Sequence, residues 1–324
     1  MSTKTGSIVF SSTPVMTRFQ SGGGWRGLLT FIVSAAITLA VPAARAAVSF
    51  PMYVSSGSQS IVQVSPAGVV SPFATLPPGS FPEGAAFDGA GNLYAANNNT
   101  SQISRITPGG AVSLFATLPT GSSPVGLAFD GSGNLYVADQ TPNKISKITP
   151  GGVVSVFATL PSGSNLFGLA FDGIGNLYVA DLGTSQISKV TPGGVVSVFA
   201  TLPANSTPDG LAFDTSGNLY ASGNSTSQIS KITSGGVVSL FATLPAGSSP
   251  AGLGFDGIGN LYAADFSTNQ ISKISPDGLT VSPFATGIFE PKSIAFSIVP
   301  EPSSAVLLIA AGASVFLRRR RSRA

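Results

Sequence analysis

A unit of 42 residues recurs along this chain, and that recurrence constrains the fold more than any single motif does. The tetrapeptide Gly-Asn-Leu-Tyr begins at Gly91, Gly133, Gly175, Gly217 and Gly259, always 42 residues apart. Self-similarity at a fixed period means a stack of equal units, each burying its apolar surface against its neighbours. A period of about 40–45 residues is the length of one four-stranded propeller blade.

The unit spanning residues 126–160 is representative. Residues 126–130 make a short apolar strand, A, which runs into the turn Asp130-Gly131-Ser132-Gly133-Asn134. Asp and Asn bond their own backbone in such turns, and Gly supplies positive φ. Strand B follows at residues 135–138, strand C at 144–149, a turn at Pro150-Gly151-Gly152, and strand D at 153–159. In Ile145-Ser146-Lys147-Ile148 the two isoleucines point to opposite faces of the pleat. A sheet with apolar residues on both faces is covered on both sides, as a blade is by its neighbours.

Each strand type occurs six times. Strand C carries Ile61, Ile103, Ile145, Ile187, Ile229 and Ile271, and strand D carries Phe73, Phe115, Phe157, Phe199, Phe241 and Phe284. Strand A carries Phe87, Phe129, Phe171, Phe213, Phe255 and Phe296, and all six tyrosines, from Tyr53 to Tyr262, mark strand B. The order begins B-C-D near Met52, passes through five A-B-C-D units and ends on a lone A around residues 292–297. The reading is therefore an all-β, six-bladed β-propeller of four-stranded blades, the last blade closed by N-terminal strands B-C-D and C-terminal strand A. Closure removes open edges. The period, Gly-Asn-Leu-Tyr-Val-Ala-Asp from Gly133 and Ile-Ser-Lys-Ile from Ile145 resemble NHL-type six-bladed propellers over residues 51–297.

Both ends read as targeting segments around a propeller at residues 47–298. Residues 1–46 form a signal peptide: Arg18 and Arg26 precede an apolar run at 28–41, with cleavage expected after Ala46 and translation starting at Met1 or Met16. Residues 299–324 hold Pro300, Glu301 and Pro302, an apolar run at 305–317, then Arg318, Arg319, Arg320 and Arg321. This tail resembles the PEP-CTERM sorting signal. The resemblance implies a Gram-negative source, processing by an exosortase, secretion machinery as partner, and a C-terminal transmembrane helix that anchors the protein in the inner membrane in transit to the cell surface or extracellular space. An N-terminal signal helix flanks the propeller on the other side.

Composition excludes several chemistries. The net charge of +3 comes from the ends; the middle holds seven bases against twelve acids, a net of −5. No nucleic acid is expected as a partner, because such proteins carry a basic face. The chain contains no Cys and no His, so disulfides, thiol nucleophiles, the usual zinc sites and Ser-His-Asp triads are absent.

Where units share a residue, it serves the fold; a single-copy site belongs where they differ. The position beside the start of strand A reads Glu83, Val125, Phe167, Asp209, Ala251 and Lys292 around the ring. Phe81-Pro82-Glu83-Gly84 and Thr207-Pro208-Asp209-Gly210 resemble the corresponding motifs of gluconolactonase and regucalcin-type propellers, and the resemblance implies a divalent metal, calcium or zinc, held by Glu83 and Asp209 at the channel mouth. An Asn expected at that ring position is missing, with Asn165 two residues before Phe167. The turn acids Asp88, Asp130, Asp172, Asp214 and Asp256 are read as Asx turns, and the strand-C bases Arg105, Lys147, Lys189, Lys231 and Lys273 as packed stems with solvated charges. Asp139, Asp181 and Asp265 are expected to tie down the loop after strand B.

The function expected from these residues is non-enzymatic: an exported surface or matrix scaffold that binds an extracellular polysaccharide or a protein through one loop face. The alternative is a metal-dependent, lactonase-like hydrolase built on Glu83 and Asp209. A lyase resembling virginiamycin B lyase is a third option, against which the absence of His counts.

Overall fold

The computed structural model describes residues 51–297; the signal segment, the sorting tail and the helices expected in them lie outside these residues. The described residues form six four-stranded antiparallel sheets, and two single 3-10 turns are the only helical pieces among them. Blades one to five follow in chain order, and each contributes strands A to D. In blade two these are Pro124–Phe129, Leu135–Asp139, Lys144–Ile148 and Val154–Thr159. Strand A thus begins two residues earlier than the sequence pattern suggests. A register shift between Pro124 and Leu127 interrupts its pairing with strand B, and proline, which has no N–H to donate, is tolerated at a strand start.

The core is a ring of seams. Strand B of every blade is buried along its full length. The buried residues separate into six clusters, each straddling two consecutive blades. Ile145 packs in the cluster shared with blade three and Ile148 in that shared with blade one, as their opposite pleat faces require.

At each seam a tyrosine lies between two phenylalanines, edge-on to both except at Tyr262, which is tilted against Phe296. The Tyr136 ring lies 4.9 Å from Phe157 of its own strand D and 5.0 Å from Phe171 of the next blade's strand A. Such T-shaped pairs add about 0.5–1.5 kcal/mol beyond the area they bury. The Tyr94 hydroxyl also donates to Asp88 Oδ2 at 3.2 Å, so its polar tip is satisfied.

The turns behave as read. Asp130 Oδ1 accepts N–H bonds from Ser132 and Asn134 at 2.9 and 2.8 Å, and Oδ2 accepts the Asn134 amide at 2.8 Å. Gly110, in a Pro-Gly-Gly turn between strands C and D, has φ +81°, and a Cβ there would lie 2.7 Å from the Phe73 carbonyl of the preceding blade. Glycine is needed both for the turn and for the close approach. The stems of the strand-C lysines pack so that their amines lie over tyrosine rings, Lys147 at 5.4 Å from Tyr136 and Lys231 at 5.5 Å from Tyr220.

The closing blade joins both ends of the described chain. Pro291–Phe296 pairs antiparallel with Met52–Ser56, matching Met52 with Phe296 and Tyr53 with Ala295, and the sheet continues through Ser60–Val64 to Val70–Thr75. No A–B turn ties this last strand A to its sheet; ladder bonds, packing and a few side-chain bonds of Lys292 and Ser293 hold it. Its ring contact is also the loosest, with Tyr262 and Phe296 5.6 Å apart and tilted at 60°. Phe296→Ala should therefore lower the thermal unfolding midpoint more than Phe213→Ala does, although a Phe→Ala change in a well-packed core ordinarily costs about 3–5 kcal/mol. Equal losses in parallel calorimetric scans would show that the ring does not depend on this strand more than on any other.

Candidate functional site

One end of the ring is built from the starts of the A strands. In blade one the register of strands A and B shifts between Pro82 and Ala85, so Glu83 and Gly84 leave the ladder inside strand Pro82–Phe87. The same shift recurs between Pro208 and Leu211 in blade four. The ring position read beside the strand start is thus its second residue, within a β-bulge. Bulges re-aim side chains, and here they direct Glu83, Val125, Phe167, Asp209 and Lys292 onto one small cavity of about 60 Å³.

The cavity is narrow because the inner backbones touch. A Cβ on Gly84 would lie 2.0 Å from the Val125 carbonyl, and one on Gly168 2.3 Å from that of Asp209. Serine replaces this glycine in the closing blade, where the Ser293 N–H donates to Ser55 Oγ at 3.0 Å and the Ser55 hydroxyl donates to the Glu83 carbonyl at 2.9 Å. Ser222, the counterpart of Ser55 in blade four, accepts from Gly210 N–H at 2.7 Å and donates to the Ala251 carbonyl at 2.6 Å. Alanine stands at the equivalent positions 96, 138, 180 and 264.

Glu83 and Asp209, three blades apart, come together at this cavity, and Lys292 joins them. The Lys292 amine lies 3.2 Å from Glu83 Oε1, 4.3 Å from the Phe266 ring centroid and 5.2 Å from that of Phe81. Ammonium over an aromatic face is attracted by the ring quadrupole, so Lys292 is held by a carboxylate and two rings. Phe81 is held at φ +50° and Thr207 at φ +45°, and for a β-branched residue such as Thr207 that backbone is strained. Burial pushes Asp209 up to about 7; the Glu83 charge adds to the rise, while Lys292 and the Asn224 side chain oppose it less strongly. Burial likewise raises Glu83, with Lys292 pulling it back. Asp209 keeps partial solvent contact through the mouth, so it can exchange a proton near neutral pH, the property a general acid or base needs.

A second circle lies just outside, at the ends of the B strands: Ser56, Asn97, Asp139, Asp181, Gly223 and Asp265. These acids bond differently from one another. Asp181 Oδ1 accepts the Asn165 N–H at 3.0 Å, across the loop before strand A. Asp139 instead accepts the hydroxyl of Ser146, and Asp265 that of Ser272 at 2.5 Å, both on strand C. Among the described residues Oδ1 of Asp139 and of Asp265 has no hydrogen-bond partner, and burial raises both groups to about 6. Asn97, the neutral isostere, occupies the same place in blade one and donates to Ser104 at 2.8 Å.

Toward a divalent metal the donors here are two carboxylates and the nearby Asn224 amide, with an ammonium already beside one carboxylate. Among the described residues no group of three or more His, Cys, Asp or Glu converges. Hard cations want several oxygen ligands, so an ion at this mouth would have to displace Lys292. The sequence named Lys292 as a ring position but gave no sign that it pairs with Glu83; Phe266 and Asn224 come from loops whose placement only the fold reveals.

The raised carboxyls have a measurable consequence. A carboxyl whose folded pKa exceeds its unfolded value penalises the ionised fold, so stability should rise as pH falls through about 7 for Asp209 and about 6 for Asp265 toward the unfolded value. Asp209→Asn and Asp265→Asn should each stabilise the protein above pH ~8, on the order of 2–4 kcal/mol, with the gain shrinking toward pH ~4. Melting curves in which either variant's advantage stays constant across that range would rule out a raised carboxyl at that position.

A model of the Virginiamycin B lyase family matches residues 52–224 and 132–314. No curated protein matches the chain. Among solved structures, the chain is similar to a streptogramin B lyase at 20% identity and a TM-score of 0.63, covering 77% of this chain and 88% of that one. It is similar to a catalytically inactive His-to-Ala variant of the Staphylococcus aureus virginiamycin B lyase with quinupristin, at 20% identity and a TM-score of 0.60, covering 75% and 87%. A structure of a nidogen/laminin complex matches at 19% identity and a TM-score of 0.65, covering 76% and 98%. These likenesses establish a shared fold.

Proposed function

The chain belongs to the virginiamycin B lyase family, and from that premise we propose that it acts as a non-enzymatic binding or scaffold module, exported to the cell surface or extracellular matrix, with a glycan or protein as its ligand. The observation that carries this reading is the chemistry of the channel mouth. Its one cation among the described residues is Lys292, already neutralised by Glu83, and the cavity of about 60 Å³ falls well short of the roughly 300–1,000 Å³ of a small-molecule site. A His-to-Ala change leaves the solved lyase catalytically inactive, and this chain has no His anywhere. The occurrence of a similar propeller in a nidogen/laminin complex is compatible with a binding role. Export and sorting rest on the resemblance of residues 1–46 and 299–324 to a signal peptide and a PEP-CTERM tail.

A second reading draws on the convergence of Glu83 and Asp209 at one cavity: a metal-dependent, lactonase-like hydrolase taking calcium or zinc after Lys292 swings away. Calorimetry with each ion and a lactone hydrolysis assay separate the two. The binding module should give no saturable metal heat and no turnover, yet be retained on immobilised extracellular polysaccharide or matrix protein. Metal binding that Asp209→Ala abolishes, accompanied by lactone turnover, would replace the first reading with the second.

A further inference from the structure

The end of the ring opposite the channel mouth carries two larger grooves. One, of about 540 Å³, lies between blades two and three; its walls include Phe129, Phe157 and Phe171, with Tyr136, Lys147 and the turn carboxylates Asp130 and Asp172. The other, of about 390 Å³, lies between blades four and five and presents Phe213, Phe255, Tyr220, Asp214 and Asp256 in equivalent places. The Phe rings are half-buried, so each groove offers aromatic surface to a ligand. Both volumes fall in the range of small-ligand sites.

A departure from the repeat marks the same two junctions. The middle residue of the A–B turn is Ala90 in blade one, Ser132 in blade two and Ser216 in blade four, but Ile174 in blade three and Ile258 in blade five. The two isoleucines are 82% and 59% exposed, and Ile258 itself lines its groove. A large apolar side chain at a turn tip does nothing for the turn, since the Asp172 and Asp256 bonds are made by backbone and Asn groups whichever residue stands there. Two exposed isoleucines, both beside a groove and two blades apart, are features of a surface that meets something.

We infer that these two grooves bind sugar units of a neutral polysaccharide, each seated on the Phe rings and covered by the neighbouring isoleucine. This rests on the binding-module reading and names its ligand. The charges at the grooves favour a neutral chain. The lysine amine is held over tyrosine and the −5 net charge of the middle opposes polyanions. Asp172, Asp214 and Asp256 each already accept four bonds from their own turn and tyrosine, while Asp130 Oδ2 accepts only the Asn134 amide and so has room for one more donor, such as a sugar hydroxyl. Two like sites at a fixed spacing suit a ligand that itself repeats, because a polymer engaging both gains avidity without new contacts. A folded protein partner, with one irregular surface, gains nothing from that spacing.

The test is affinity electrophoresis of the full chain in a sugar-free detergent, through gels containing dextran, mixed-linkage β-glucan or alginate. Ile174→Ser and Ile258→Ser install the residue found in sibling blades, so folding should be preserved, and a melting curve checks it. A neutral glucan should retard the intact chain; each single change should weaken retardation roughly 3- to 10-fold, and the double change by more than either alone. Equal retardation of intact and doubly changed chains would overturn the groove assignment while leaving glycan binding in place. Retardation by alginate alone would overturn the neutral-ligand assignment. Retardation by no polysaccharide, with retention on a matrix protein instead, would overturn the inference and leave the binding module standing; retention on neither would take the binding module with it.

Discussion

Everything in this ring leans on the edge-on contact of one tyrosine with two phenylalanines, one from its own blade and one from the next. The tyrosine–phenylalanine contact recurs at all six seams with centroid separations between 4.6 and 5.6 Å, edge-on in every pair but the tilted Tyr262–Phe296. A four-stranded sheet cannot bury both of its faces alone. The tyrosine reaches out of one face and fixes how far away the next sheet lies, and the hydroxyls of Tyr94, Tyr178, Tyr220 and Tyr262 end on the turn carboxylate of their own blade. Spacing, turn and strand order are thus one device, and copying it every 42 residues closes a ring when the angle per step fits six steps.

Much of this was legible in the chain because it depends on local rules applied six times. The count of Tyr, Phe and Ile markers gave the blade number, and the B-C-D start with a lone A end gave the closure that pairs Tyr53 with Ala295. The Asx turns followed from Asp, Gly and Asn at fixed offsets. Repetition also made departures readable: the ring position that varies most, from Glu83 to Lys292, is the one the fold brings to a shared cavity.

What was not legible depends on contacts between blades. The bulge that turns Glu83 toward the channel exists because Gly84 lies against the Val125 backbone of the next blade, a distance no local pattern encodes. Phe81 and Phe266 flank Lys292 from loops of different blades, so no stretch of sequence contains the arrangement. The acids ending the B strands looked equivalent, yet Asp181 bonds a backbone N–H and Asp139 a serine hydroxyl. The difference follows the loop before strand A, which supplies the Asn165 N–H to Asp181. The tyrosine beneath each of the Lys147, Lys189, Lys231 and Lys273 amines comes from the adjacent strand B, a pairing that no single strand encodes.

Closure and the channel mouth are consequently one problem. Lys292 lies on the strand that completes the sixth blade, so the residue that neutralises Glu83 arrives only when both ends of the described chain have met. Before that, Glu83 and Asp209 face one another without a counter-charge, and burying two unpaired carboxylates is strongly unfavourable. The ammonium reduces, without cancelling, the cost of burying these carboxylates when the ring closes. Any ligand that drew Lys292 away from Glu83 would act on the same strand that holds the ring shut. Occupancy of the mouth and integrity of the sixth blade would then be linked through the Lys292 side chain.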